Sequence, residues 1–150
     1  MAAPTAPVLG FNGKLYYNTG SYGTPTWTGI QNVGDINVTD ERDVQDLPVR
    51  SMGSYMTHAV GLRKLTYAFQ MVYDPADTAQ AALLTAYAAG TTKDILVLDG
   101  PSSTAGSSGM RAYFHISKFA RQEPIGGAMM VDVELKPAYA ANAPTAYTAS

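Results

Sequence analysis

From Met129 to Pro137 the side chains alternate in character: Met129, Val131, Val133 and Leu135 fall on one parity, and Met130, Asp132, Glu134 and Lys136 on the other. Successive side chains of a strand point to opposite faces, so this segment predicts a half-buried strand with one wet face. Residues 62–73 repeat the pattern, with Leu65, Tyr67, Phe69, Met71 and Tyr73 opposite Lys64, Thr66, Ala68 and Gln70. Residues 110–120 do so again, setting Ala112, Phe114 and Ile116 against Arg111, Tyr113, His115 and Ser117. A chain with this much period-two patterning must build sheet and bury one side of it.

The remaining punctuation fits a mainly β chain with one helix. Ile95-Leu96-Val97-Leu98 is apolar on both parities and reads as a central or doubly covered strand. Asn12-Gly13 between apolar runs predicts a tight hairpin. Residues 27–38 read as strand, with a bulge or bend at Gly34. Asp74-Pro75 offers an N-cap and a first helical residue, and Gly90 a stop, so a helix is expected over residues 75–89 with Gln80, Leu83, Leu84 and Tyr87 as its packing stripe. Residues 18–26 and 99–109 are loops, the second flexible, and residues 123–127 make a turn. The domain then spans residues 8–137, with Ala/Pro/Thr-rich flexible arms at 1–7 and 138–150. Residues 39–61 show no sustained period and read as a long connection, which in a compact domain points to function.

With 150 residues, the chain is long enough for one real core, yet only 15% of it is charged, and its net charge is −2. Surface polarity must come from Thr, Ser, Asn, Gln and Tyr, or the surface must be covered by other subunits. No large basic field exists to grip nucleic acid. Cysteine is absent, which removes disulfides, thiolate zinc sites and a cysteine nucleophile. The first residues lack the basic start and apolar run of a signal peptide, and no apolar run is long enough to span a bilayer. A protein made in the cytoplasm, without membrane insertion, is the expectation.

Catalytic constellations are missing: there is no GxSxG, P-loop or GxGxxG. His58 and His115 lack metal-ligand spacing and read as surface residues. Asp40, Asp43 and Asp46 recur every third residue, but without the alternation and central glycine of a calcium loop. Asp132 and Glu134 share a strand face about 7 Å apart, a spacing compatible with paired carboxylates, but Lys136 continues the row and no sugar platform adjoins it. No enzyme activity, cofactor or metal is expected.

An ordered set of short stretches carries a family resemblance. It comprises Lys14-Leu15-Tyr16-Tyr17-Asn18-Thr19-Gly20, Thr26-Trp27 through Asn32-Val33-Gly34-Asp35, Phe69-Gln70-Met71-Val72-Tyr73-Asp74, Leu96-Val97-Leu98-Asp99-Gly100, Gly109-Met110-Arg111-Ala112, Phe119-Ala120-Arg121-Gln122-Glu123-Pro124 and Val133-Glu134-Leu135-Lys136-Pro137. Taken in order, these resemble the tail tube proteins of long-tailed bacteriophages, related prophages and injection systems. The resemblance implies a β-sandwich or small barrel with a single flanking helix. It also implies stacked hexameric rings forming a hollow virion tail tube for DNA delivery. Implied partners are further copies of the chain and other tail proteins, such as the tape measure, tail tip and terminator. DNA would pass through transiently, without tight binding.

Within that frame residues 39–61 correspond to the loop that meets the next ring, making Asp40, Glu41, Arg42, Asp43, Asp46, Arg50 and Tyr55 the candidate inter-ring contacts. A wall that lets DNA slide should avoid cation clusters. Asp35, Asn37, Gln70, Asp132 and Glu134 are the candidate lumen-facing residues, with Lys64, Arg111 and Lys136 as cations that share their faces. Two other readings compete. One is a monomeric β-sandwich that binds carbohydrate through Trp27, Tyr16, Tyr17, Tyr22 and Tyr55. The other is a single-ring head–tail connector or tail-completion protein.

Overall fold

The computed structural model describes residues 13–150. The arm at 1–7 and, of the hairpin expected around Asn12-Gly13, residues 8–12 lie outside the described residues. The elements in chain order are β1 (Lys14–Asn18), β2 (Trp27–Gly29), β3 (Val33–Leu47), β4 (Thr57–Val72), α1 (Thr78–Ala89), β5 (Thr92–Leu98), β6 (Ser108–Gln122), β7 (Met130–Pro137) and β8 (Thr145–Thr148). The protein is thus mainly β with one helix, as its patterning predicts. The strands form one antiparallel sheet in the order β2-β1-β5-β6-β7-β4-β3, which is not closed, and β8 pairs with β6 beside it. Strand β6 is shared between two halves of the sheet. Residues Gly109–His115 pair with β5, Ser108–Arg111 with β8 and Phe114–Gln122 with β7.

The alternating residues meet in one core. Val131, Val133 and Leu135 of β7 pack with Leu65, Tyr67, Phe69 and Met71 of β4 and with Ala112, Phe114 and Ile116 of β6. Leu15 and Tyr17 of β1, Ile95 of β5, and Ala79, Leu83 and Ala86 of α1 complete it. Full burial of each larger side chain contributes about 1.5–3 kcal/mol, enough to hold the strand faces in register. Ile95 and Leu96 are both fully buried, as expected for a strand covered on both faces. A register shift between Val33 and Ile36 realises the irregularity expected at Gly34. Strand β3 slips again between Arg42 and Val44, and a further shift, between Ile116 and Lys118, changes the parity of β6 and returns Phe119 to the core side, where it stacks on Tyr87 at 6.2 Å.

The helix begins later than expected. Asp77 is its N-cap, accepting from the Ala79 amide at 3.0 Å, while Asp74 accepts from the Ala76 amide at 3.0 Å to close a turn around Pro75. Buried Gln80 fixes this choice by bonding both the Val72 carbonyl and the Asp74 amide. Gly90 ends the helix in the left-handed conformation, as expected. The packing stripe is rotated from the expected one. Ala79, Gln80, Leu83 and Ala86 are buried, whereas Leu84 and Tyr87 are exposed. In an alanine-rich helix the small residues let the backbone approach the sheet closely, so large side chains alone misplace the stripe.

Two segments differ from their sequence reading. Residues 39–61 are no irregular connection. They form the outer part of a long β3–β4 hairpin, paired from Asn37↔Ala68 out to Leu47↔Thr57, with one 3₁₀ turn at Arg50–Met52 near its end. Nearly every residue of that part is exposed, so no buried face imprints a period on the sequence. The segment 138–150 is not wholly a free arm either. Strand β8 pairs with β6, and the amide of buried Ala149 bonds the Ser107 carbonyl at 2.8 Å. Its few apolar side chains cannot order it alone, and the free ladder edge of β6 does so.

Candidate assembly surfaces

Three surfaces stand out: the projecting hairpin, the polar face of the long strands and a covered patch beside β5. The hairpin holds most of its charge internally. Arg63 donates to the Asp40 carboxylate, Lys64 lies 2.9 Å from Asp43 and His58 lies 3.2 Å from Asp46. Glu41 pairs in register with Lys64, and Arg42 donates to the Gly61 carbonyl. The hydrogen bond from Arg63 holds the Asp40 carboxyl below the usual carboxylate range, and Asp43 raises the Lys64 ammonium above its ordinary value. The acidic stretch is therefore matched by cations of β4 and is not a free anionic loop. Arg50 and Tyr55 sit at the exposed end, where Arg50 has no ion-pair partner among the described residues.

What the sequence reading missed on the hairpin is its apolar surface. Val44, Leu47, Met52, Tyr55, Met56, Val60 and Leu62 are all exposed, Leu62 at 83%. Such a concentration of apolar surface marks an interaction site. The available signal was the recurrence of valine, leucine and methionine among residues that no core can claim.

The five residues read as lumen candidates come together. Asp35, Asn37, Gln70, Asp132 and Glu134 line one shallow depression on the polar face of β3, β4, β7 and β6. The cross-strand pairs explain this: Asn37↔Ala68, Ala68↔Glu134 and Glu134↔Lys118 form one row, and Gln70↔Asp132↔Ala120 the next. The Asp132 carboxylate accepts from Gln70 at 3.2 Å and from Gln122 at 2.7 Å. Glu134 accepts from Ser117 at 3.1 Å and lies 3.4 Å from the Lys136 ammonium. Lys118 and Gln122, absent from the sequence reading, join this face because the β6 irregularity changes parity before them.

Arg111 shares the parity of this face but is 8% exposed, not a wet cation. It donates to the Asp94 carboxylate at 2.7 Å and to the Tyr22 carbonyl at 3.0 Å. Its guanidinium lies 3.8 Å from the ring centre of Tyr22 and 4.9 Å from that of Trp27. Asn18 donates to Asp94 as well, so the loop between β1 and β2 is clamped over the sheet. This also bears on the carbohydrate reading. Tyr17 is buried, Tyr22 and Trp27 flank Arg111, the Tyr16 hydroxyl accepts from the Ser102 amide, and Tyr55 stands apart on the hairpin. These rings do not assemble into one open platform.

Among the described residues no group of His, Cys, Asp or Glu is arranged to hold a metal ion, and no helix is long and apolar enough to cross a membrane.

No protein-family model matches the sequence, and no curated protein does. The fold, by contrast, is shared with solved tail structures. The tail of an empty gene transfer agent particle, computed with helical refinement and C6 symmetry, matches with a TM-score of 0.67 at 15% identity, over 91% of this chain and 96% of that one. The SPP1 tail tube matches with a TM-score of 0.69 at 13% identity, over 87% and 75%. A chain of the anti-feeding prophage baseplate matches with a TM-score of 0.63 at 7% identity, over 98% and 97%. The chain has the tail-tube fold.

Proposed function

We propose that this protein is the structural subunit of a phage-type tail tube, assembling into hexameric rings that stack into a hollow conduit for DNA. The observation that carries this reading is the four-strand unit β6-β7-β4-β3, with a polar face, a core face and two open edges, within the tail-tube fold. Neighbouring strands of the unit alternate in direction. An even number of alternating strands lets β3 of one copy meet β6 of the next in antiparallel fashion, so a ring can close without a free edge. On β6 the open edge is the part beyond His115, which has β7 on one side and no strand on the other among the described residues.

In this ring the face bearing Asp35, Asn37, Gln70, Asp132 and Glu134 lines the lumen. Gln70 and Gln122 satisfy Asp132, and Ser117 and Lys136 satisfy Glu134, which gives a wet, weakly anionic wall with no unpaired cation cluster among the described residues to grip phosphate. The hairpin, with Arg50 and Tyr55 at its end, contacts the adjacent ring. Low overall charge suits a protomer covered laterally and axially by its own copies. Tape-measure, tip and terminator proteins are the expected partners inside and at the ends of the tube, and the virion tail is its final location.

Negative-stain electron microscopy of the purified full chain, with size-exclusion chromatography, tests this. Hollow tubes or stacked rings are expected. Single rings that never stack would favour a connector, and a monomer at every concentration would overturn the assembly reading.

A further inference from the structure

The hairpin needs a receiving surface, and the strand register says what lies at the other end of the sheet. Strand β4 begins at the hairpin end, where Leu47 pairs with Thr57, and finishes at Val72. Val72 pairs with Met130, which pairs with Gln122, so the turn between β6 and β7 sits at the opposite end of β4. The 16 residues of β4 at about 3.3 Å each separate the two ends by roughly 50 Å along the strand.

That turn displays an isoleucine. Its backbone is a compact reversal, with Pro124 before Ile125, Gly126 at φ 83 and the Gly127 amide bonded to the Pro124 carbonyl. Pro and Gly are what the turn requires, whereas a β-branched apolar residue is not. Ile125 is fully exposed, and Val72 beside the turn is 42% exposed. The hairpin end is apolar in the same way, with Met52, Tyr55 and Met56 exposed. The charges of the two ends are opposite. Arg50 is the one charged residue between Leu47 and Thr57, while around the turn Glu123 is paired with Arg121 at 2.8 Å and Asp74 and Asp77, just beyond β4, have no cationic partner among the described residues.

We infer that the β6–β7 turn, with Ile125 as its apolar contact, receives the hairpin end of a second copy stacked head to tail. The inference rests on the tube reading and names the receiving half of its axial contact. One copy cannot satisfy both ends itself, because they lie at opposite ends of one strand. Unlike patches at opposite ends make a heterologous contact that propagates instead of closing on itself. Burying Ile125 against Tyr55 or the methionines removes apolar surface from water on both sides. Arg50 gains acidic neighbours that the hairpin does not give it.

The absence of native cysteine permits a direct test. Tyr55→Cys and Ile125→Cys are combined in the full chain, which is assembled and treated with a short bis-maleimide. A ladder of covalent oligomers is expected, and it must be intermolecular given the separation of the two sites. Pairing Tyr55→Cys with Leu84→Cys on α1 should leave the chain monomeric on a denaturing gel. Ile125→Asp should lower sedimentable tubes at least tenfold while circular dichroism and melting temperature stay as in the parent. Parent tubes together with unimpaired Ile125→Asp tubes and no ladder would overturn the inference and leave the tube reading standing. A parent chain that forms neither rings nor tubes would overturn both.

Discussion

Arg111 and Asp94 form an ion pair at 2.7 Å with both residues under a tenth exposed, and the rings of Tyr22 and Trp27 close over the guanidinium. The hydrogen bonds that Arg111 donates to the Asp94 carboxylate raise its pKa further above its ordinary value, so the arginine stays charged under any working condition. Removing one partner strands a buried charge, which typically costs about 3–5 kcal/mol, whereas replacing both with apolar residues is often neutral. Asp94→Ala should therefore lower the denaturant midpoint sharply, and Asp94→Leu with Arg111→Met should recover most of the loss. Equilibrium urea unfolding of the two variants checks this. Equal losses in both would mean that the pair is not acting as a coupled unit.

The hairpin should be separable from the core. Arg42 pairs with Arg63, so replacing residues 43–62 with Asn-Gly leaves two paired strands joined by a tight turn. None of the removed residues belongs to the core cluster. The shortened chain should keep its circular dichroism and cooperative melting but form no long tubes under the electron microscope. Tubes of normal length would remove the hairpin from the axial contact.

The polar face should decide how the tube treats DNA. Asp132→Lys with Glu134→Lys adds cations where Lys118 and Lys136 already stand, while the underlying Val131, Val133 and Leu135 are untouched. Tubes of this variant should retain DNA fragments that parent tubes release, and retention should fall steeply with salt, because phosphate contacts release counterions. Filter retention measured across salt concentrations reads this out. Identical behaviour of the two tubes would place this face away from the lumen.

Tyr67 provides a pH signature of the core. Burial, with the nearby Asp40 charge as a smaller contribution, pushes its phenol up from 10.0 to about 12. The folded state holds that proton more tightly than the unfolded chain does. Its contribution to stability is thus complete below pH 10 and is lost as the pH rises from about 10 to 12. The urea midpoint of the parent should fall across that window more steeply than that of Tyr67→Phe. Parallel curves would show that Tyr67 does not titrate differently on folding.

The strands with one buried face were legible in the sequence. Residues 62–73 and 129–137 alternate because the chain's own core lies against one side of them, and a buried face selects apolar residues at every second position. The helix stop at Gly90 was legible for a local reason too, since a left-handed terminal residue favours glycine. The candidate polar face followed from the same alternation, and Asp35, Asn37, Gln70, Asp132 and Glu134 do share one depression.

Tertiary structure alone decided the rest. The outer hairpin has water on both faces within a single copy, so no burial writes a period into residues 39–61. Strand β8 exists because β6 offers it a ladder edge, a pairing between distant residues that no local pattern encodes. Arg111 reads as a wet strand cation until Asp94 and the Tyr22 loop meet over it. The parity change in β6 that recruits Phe119 to the core and Lys118 and Gln122 to the polar face is likewise settled by packing. Local periodicity records what a segment's own two faces meet. Which distant segment supplies the covering, and where a ladder slips by one residue, depends on side chains far apart in sequence fitting one shared core.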